Sequence, residues 1–112
     1  MYVASYSPEF PDQVAKHTQL RSKIRNAINR VLQDPRHGTE LCKKKAGHDF
    51  RGIRSTHVGD GQFVILFTIC DEYLKKFPVR DRICRACAAC PANTVLFLTV
   101  GPHAQAYRAV VR

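Results

Sequence analysis

Two nearly continuous apolar runs constrain the fold of this chain most strongly. Residues 62–70 contain FVILFTI, and residues 93–100 read NTVLFLTV. β-Branched and aromatic side chains favour strands, and a run without polar alternation is typical of a strand that is covered on both faces. The two runs therefore predict central strands of a sheet that is buried on both sides.

The first third of the chain predicts a strand followed by two helices. MYVASY is a first strand, and Ser7 is expected to cap a helix with Pro8 in its first turn, unless the helix starts at Pro11. A second helix begins near Thr18, and Asp34-Pro35 ends it. Its apolar residues recur at steps of three and four, which predicts one buried stripe. The stripe consists of Leu20, Ile24, Ala27, Ile28, Val31 and Leu32.

Further strands follow the helices. Residues 40–43 predict a short strand and residues 50–56 a clearer one, and Gly59-Asp60-Gly61 is a turn sequence before the first apolar run. Gly101-Pro102 is expected to end the last strand, and HAQAYRAVV then predicts a short helix. The order β-α-α-β-β-β with a C-terminal helix indicates an α+β fold with helices on one side of the sheet.

Residues 71–92 interrupt this pattern. They separate the two apolar runs and are rich in charge and cysteine. The segment is much longer than a hairpin loop, which usually has about two to five residues. With 112 residues and no shift in composition, the chain is expected to form one domain, with residues 71–92 as an inserted excursion.

The charge balance indicates anionic partners. Lys and Arg total 18 against 9 acidic residues, a net charge of +9. Phosphate backbones, acidic proteins and anionic membranes all suit such a field, and its spread along several segments favours nucleic acid over simple solubility. No apolar stretch approaches the roughly 18 residues of a membrane span, and no secretory signal is apparent, so a cytoplasmic location is expected.

The cysteines leave three alternatives open. Their odd count, five, argues against a secreted disulfide framework. Cys84, Cys87 and Cys90 have C-x-x-C spacing, and Cys70 is a candidate fourth ligand for a structural zinc ion. Reduced or partly disulfide-bonded thiols are the first interpretation, zinc the second and an iron–sulfur cluster a distant third. In the zinc interpretation the ion holds residues 71–92 together and takes no part in catalysis.

Three strings resemble the RelE/ParE superfamily of bacterial and archaeal toxins. VLQDPRHGTEL is similar to the family's passage from the second helix into the sheet. FRGIRSTHV followed by FVILFTI resembles its middle strands, and LFLTVGPHAQAY resembles the end of the YafQ branch. The resemblance covers most of the chain outside residues 71–92. It implies an antiparallel sheet with two N-terminal helices packed on it and a short C-terminal helix.

The resemblance also implies a function and a set of site residues. Members of the YafQ and RelE branches cleave mRNA, usually on the ribosome and without a metal cofactor, and an acidic antitoxin protein holds them inactive. His57 and His103 match the branch's active-site histidines, Tyr107 matches its final aromatic residue, and Arg54 matches the arginine that holds phosphate.

The chain departs from the branch at two places. The branch has an Asp-Trp pair after its strand histidine; here Asp60 stands one residue away, and the tryptophan has no counterpart. A further upstream histidine of the branch falls near Lys44-Lys45, so His48 or one of these lysines is the candidate for that role. These differences bear on substrate choice more than on reaction type.

The residues themselves fit such chemistry. RNA cleavage through the ribose 2′-OH needs a base, an acid and cations at the phosphate, and histidine suits both proton roles. Arg51, Lys44 and Lys45 would supply further positive charge. Arg54 and His57 have opposite parity in a regular strand, so they share a site only if the strand twists or bulges.

Each assignment has a plainer alternative. The two histidines would be ordinary surface residues at strand ends, Tyr107 would anchor the final helix, and the lysine run at 43–45 would be a solvated strand edge. Two other functions also remain in view. One is a ParE-like inhibitor of DNA gyrase, which has no need of paired histidines; the other is a non-toxic nucleic-acid-binding module held together by a metal ion.

Overall fold

The computed structural model describes residues 2–41, 44–45, 48–49, 52–59, 62–70, 93–102 and 105–106. It has the α+β class that the sequence predicts, and none of the helices within these ranges is long and apolar enough to cross a membrane. The elements, in chain order, are strand β1 (Val3–Tyr6), helix α1 (Glu9–Lys16), a 3₁₀ helix (Thr18–Leu20), helix α2 (Arg21–Gln33), a second 3₁₀ helix (Pro35–His37), and strands β2 (Thr39–Leu41), β3 (Lys44–Lys45), β4 (His48–Asp49), β5 (Ile53–Val58), β6 (Phe63–Ile69) and β7 (Thr94–Pro102).

Five strands form one mixed sheet in the order β1-β7-β6-β5-β2, and β3 pairs separately with β4. The neighbours β2, β5, β6 and β7 are antiparallel, but β1 runs parallel to β7, with Val3 opposite Thr94. The expectation of an antiparallel sheet is thus corrected at β1. Tight hairpins force antiparallel pairing only between strands that are consecutive in the chain, and β1 and β7 are its first and last strands.

Helices α1 and α2 pack on one side of the sheet, here called the helix face. Ile24, Ala27 and Val31 of α2 are buried against it, which confirms the apolar stripe of that helix, and Phe10 is the buried residue of α1. The sheet residues of this core are Val58, Ile65, Phe67, Val95, Phe97 and Val100.

The opposite side of the sheet, here called the second face, is buried as well. Val64 and Leu66 of β6 and Leu96 and Leu98 of β7 are at most 5% exposed, although they alternate with residues of the helix face. A strand with both sets of side chains buried needs apolar residues at nearly every position. This confirms the prediction from the two apolar runs.

A β-bulge in β7 lets residues of both parities face the helices. Leu66 pairs with Thr99 and Phe67 with Phe97, so Leu98 is the extra residue on β7. Phe97 and Val100 are three positions apart and would point to opposite sides of a regular strand. Because the bulge shifts the alternation by one, both lie in the core on the helix face.

Side chains from the N-terminal region satisfy the part of β7 that extends beyond β1. The Ser7 hydroxyl donates a hydrogen bond of 2.6 Å to the Leu98 carbonyl, and the Val100 amide donates one of 3.0 Å to Oε1 of Gln13 on α1. The prediction that Ser7 caps α1 is therefore wrong, since α1 has no side-chain cap. The same open edge accommodates Pro102, which has no N–H to donate; β7 continues to Pro102 and does not stop before Gly101.

The passage from α2 to β2 brings the backbone close to the sheet. Pro35 begins the 3₁₀ helix directly after α2, as the Asp34-Pro35 stop predicts. A β-carbon on Gly38 would lie 2.7 Å from Cζ of Phe67 and 3.1 Å from the Ser55 carbonyl oxygen. Glycine is therefore required here by close approach, because any side chain would overlap a buried ring and a backbone atom.

The remaining strand predictions differ from the structure at their ends. β2 begins at Thr39 and ends at Leu41, whereas a strand over residues 40–43 was expected, and β5 runs from Ile53 to Val58 instead of over 50–56. The excursion at residues 71–92 lies outside the described residues. So does the predicted C-terminal helix, apart from Gln105 and Ala106, which are helical.

Candidate active site

One row of cross-strand partners on the second face joins the end of β5, which contains His57, to the end of β7, which precedes His103 in the sequence. His57 of β5 pairs with Val64 of β6, and Val64 pairs with Gly101 of β7. Cross-strand partners share a face, and His57 is exposed while Val64 and Gly101 are buried. With strands about 4.8 Å apart, the backbones of His57 and Gly101 are separated by about 10 Å.

Gly101 is the buried residue at the β7 end of this row, and no atom of the described residues lies within 4 Å of the position that a β-carbon on it would take.

A second row on this face contains two hydroxyl groups, two residues before His57 on β5 and two residues before Gly101 on β7. Ser55 pairs with Leu66, and Leu66 pairs with Thr99, so both hydroxyl residues lie on the second face. Thr99 is 1% exposed, and its Oγ1 has no hydrogen-bond partner in the part of the chain that the structure describes. The second face is thus less apolar near His57 than it is around Leu96 and Leu98.

Arg54 does not share this site. It pairs with Phe67, a helix-face residue, and β5 pairs with β6 from Arg54 to Val58 without a register shift. The twist or bulge that would bring Arg54 and His57 onto one face is therefore not present in β5. The Arg54 guanidinium Nη1 donates to the carbonyl oxygens of Gly38 at 3.0 Å and Arg36 at 3.2 Å. It binds the backbone between α2 and β2.

These bonds predict a structural effect for Arg54. Arg54→Met should lower the free energy of unfolding by about 1–3 kcal/mol, because hydrogen bonds from a charged donor to two backbone carbonyls are lost. Denaturant unfolding followed by circular dichroism measures the change. Arg25→Met, which removes an exposed arginine of α2, is the matched control and should change stability by less than about 0.5 kcal/mol. Unchanged stability in Arg54→Met, together with weaker RNA cleavage, would restore the phosphate-holding role that the sequence predicted.

Two cations of α2 reach the β5 end of the row. Arg30 Nη2 donates to the His57 carbonyl oxygen at 3.2 Å. The Lys23 side chain lies over Gly59, with Cδ 3.0 Å and Nζ 3.5 Å from the position of a β-carbon on that glycine. Gly59 has φ of 64°, so it also has the left-handed conformation that glycine favours. Both cations are exposed.

Neither Lys23 nor Arg30 belongs to the apolar stripe that the sequence predicts for α2, and no site role was expected of them. The signal that distinguishes them is their spacing, because residues seven apart lie within about 20° on a helix. Each also directly precedes a buried residue, Ile24 or Val31. The spacing indicates a shared side next to the core, but it does not reveal which strand that side meets.

Three further predicted residues are described by their strand pairing. Lys45 pairs with His48 and Lys44 with Asp49 in the antiparallel β3–β4 ribbon. The structure thus places Lys45 and His48 at opposite positions of the two strands. The ribbon is separate from the five-stranded sheet.

Other predicted site residues lie outside the described residues. These are Arg51, Asp60, His103, Tyr107, Cys84, Cys87 and Cys90. Of the four cysteines considered as zinc ligands, Cys70 is described, and it is buried at the end of β6. No group of three or more His, Cys, Asp or Glu side chains suited to a metal occurs within the described ranges, which omit the other three cysteines.

Comparisons with protein-family models, with curated proteins and with solved structures found no match.

Proposed function

We propose that this chain is the toxin of a type II toxin–antitoxin system, a RelE-like endoribonuclease that cleaves mRNA on the ribosome. The row His57–Val64–Gly101 is the observation that carries the proposal. His103 directly follows Pro102, the last residue of β7, in the sequence. The row thus connects His57, across β6, to β7, the strand whose last residue, Pro102, precedes His103 in the sequence. The element order β-α-α followed by antiparallel strands supports the same family.

The proposed reaction is an internal transesterification. His57, as general base, takes the proton of a ribose 2′-OH, and the oxygen attacks the adjacent phosphorus. The bond from phosphorus to the 5′ oxygen breaks, and His103, as general acid, protonates that oxygen as it leaves. The products are a 2′,3′-cyclic phosphate and a 5′-hydroxyl end. Tyr107 orients the substrate in this scheme, by stacking a base or bonding a phosphate.

Positive charge stabilises the phosphorane that forms during the attack. Lys44, Lys45 and Arg51 are the candidates in the sequence around β3 and β4, within a chain of net charge +9. Arg54 is left out of this set, since its Nη1 is bonded to two backbone carbonyls on the helix face. Asp60, which follows Gly59 in the sequence, is retained as the candidate for the branch's aspartate.

The same charge favours an acidic partner. An antitoxin whose binding segment is acidic would neutralise the basic surface, and a disordered segment would fold as it binds. Such a segment pairs with cations that the substrate also uses, so binding and RNA access would exclude each other.

Mapping of mRNA ends in cells is the test of this function. After brief induction of the full chain, primer extension on abundant messages should show new 5′ ends at defined codon positions, and only in translated regions. Messages whose start codon is mutated should stay intact, because cleavage depends on the ribosome. Intact messages with inhibited DNA gyrase would replace the proposal with the ParE-like function. RNA binding without cleavage by protein that contains stoichiometric zinc would replace it with a binding module.

A further inference from the structure

Helix α2 is a strongly cationic element. Arg21, Lys23, Arg25 and Arg30 are all exposed, and the helix contains no acidic residue. Acidic partners three or four positions away usually offset such charges on a helix surface. None lies within α2, and Asp34, four residues after Arg30, follows its end, so the helix itself carries only positive charge.

The four cations form two pairs on different sides of the helix. At about 100° per residue, Arg21 and Arg25 are about 40° apart and Lys23 and Arg30 about 20° apart, while the pairs lie on nearly opposite sides. Arg21 and Arg25 line a groove of about 670 Å³ between α1 and α2, whose lining includes Phe10 and Ile24. The other pair, Lys23 and Arg30, reaches β5.

The β5 side is polar and adjoins the candidate active site. Arg30 bonds the carbonyl of His57, and Lys23 lies over the exposed Gly59. One donor of the Arg30 guanidinium is used in this bond, and an arginine has five. The remaining donors of Arg30 and the Lys23 ammonium are therefore placed beside the strand end that carries His57.

We infer that Lys23 and Arg30 form a phosphate-binding site for the RNA strand that leads to His57, an inference that rests on the proposed function. Seven residues of helix separate them by about 10.5 Å along the axis. At about 3.4 Å of axial rise per nucleotide in a stacked strand, this distance lets the two cations contact different phosphates. An acidic protein helix would need apolar surface to dock on, and on α2 the apolar groove lies beside Arg21 and Arg25 instead.

Two double variants with the same change in charge test the site. Lys23→Gln/Arg30→Gln removes the proposed site, and Arg21→Gln/Arg25→Gln removes two cations from the other side of the same helix. The probe is a fluorescein-labelled 2′-O-methyl RNA 12-mer, which has no 2′-OH to attack and so cannot be cut. Its dissociation constant is measured by fluorescence anisotropy at several salt concentrations.

We expect Lys23→Gln/Arg30→Gln to bind the probe about tenfold more weakly and to reduce the slope of log K against log[salt] by about 1.4, or 0.7 for each lost phosphate contact. Arg21→Gln/Arg25→Gln should change the slope by less than about 0.5, because in this proposal Arg21 and Arg25 contact no phosphate. Arg30→Lys, which keeps the charge, should retain most of the slope. Lys23→Gln alone should lose about half of the effect, and it provides a milder variant if the double variant unfolds.

Three results would overturn the inference. Equal losses in the two double variants would mean a diffuse charge field. An unchanged slope in Lys23→Gln/Arg30→Gln would mean that no phosphate binds there. Weaker binding of poly-glutamate with unchanged RNA binding would assign the surface to an acidic protein. Failure of the proposed function would give a different result from failure of this inference. The wild-type protein would then bind the probe through Lys23 and Arg30 but leave unmodified mRNA on translating ribosomes uncut.

Discussion

His57→Ala is expected to lower the rate of RNA cleavage by about 10²- to 10⁴-fold, the usual contribution of a positioned acid or base. The fold should remain intact, because His57 is exposed on the second face and its removal leaves no cavity in the core. A substitution of this kind changes stability by about 0.5 kcal/mol or less. Initial cleavage rates on translating ribosomes, together with denaturant unfolding, measure the two quantities independently.

Three further variants decide what the loss means. His37→Ala removes an exposed histidine from the 3₁₀ helix Pro35–His37 and should cleave at the wild-type rate. His103→Ala should lose activity to a similar extent, and the double variant His57→Ala/His103→Ala should lose less than the product of the two effects, because the groups act in one step. Wild-type cleavage by His57→Ala would remove this histidine from the mechanism.

The elements that the sequence predicts well are those with strong local periodicity. The apolar runs place β6 and β7 in the buried centre of the sheet, and the spacing of Ile24, Ala27 and Val31 defines the buried side of α2. Gly59 likewise begins the connection between β5 and β6 with a positive φ. In each case a few adjacent residues determine the local structure.

The elements that the sequence does not predict depend on pairing between distant segments. The parallel alignment of β1 with β7 and the bulge at Leu98 are set by contacts across about ninety positions, for example the Ser7 hydroxyl bond to the Leu98 carbonyl. Neither segment has a local sequence pattern that predicts these contacts. The extension of β7 through Pro102 has the same origin, since it depends on where β1 ends.

The candidate site divides in the same way. Residue type and resemblance select His57, and the sequence raises the parity conflict with Arg54. Only the register of β5 against β6 resolves that conflict and places the two residues on opposite faces. Lys23 and Arg30 come from a helix more than twenty residues before His57, so their position beside it follows from the packing of α2 on β5.

Phe97→Ala is expected to have the largest effect on stability, about 3–5 kcal/mol. Phe97 is fully buried in β7 and is the cross-strand partner of both Tyr6 and Phe67. Its ring centroid lies 5.5 Å from that of Tyr6, 5.8 Å from Phe10 and 6.0 Å from Phe67. Truncation therefore opens a cavity where β1, α1 and β6 meet. Because domains of this size are stable by about 5–15 kcal/mol, the variant should be marginally folded at 25 °C.

Tyr6→Ala is the matched comparison, since Tyr6 belongs to the same aromatic cluster but is 46% exposed. It should cost less than half as much, because water already contacts much of the ring. A double-mutant cycle between Tyr6 and Phe97 should give a coupling of about 0.5–1.5 kcal/mol for their stacked rings. Urea unfolding of the four proteins supplies the cycle. A loss below about 1 kcal/mol for Phe97→Ala would mean that the cluster does not hold β1 and α1 on β7, since deletion of a well-packed phenylalanine costs several times more.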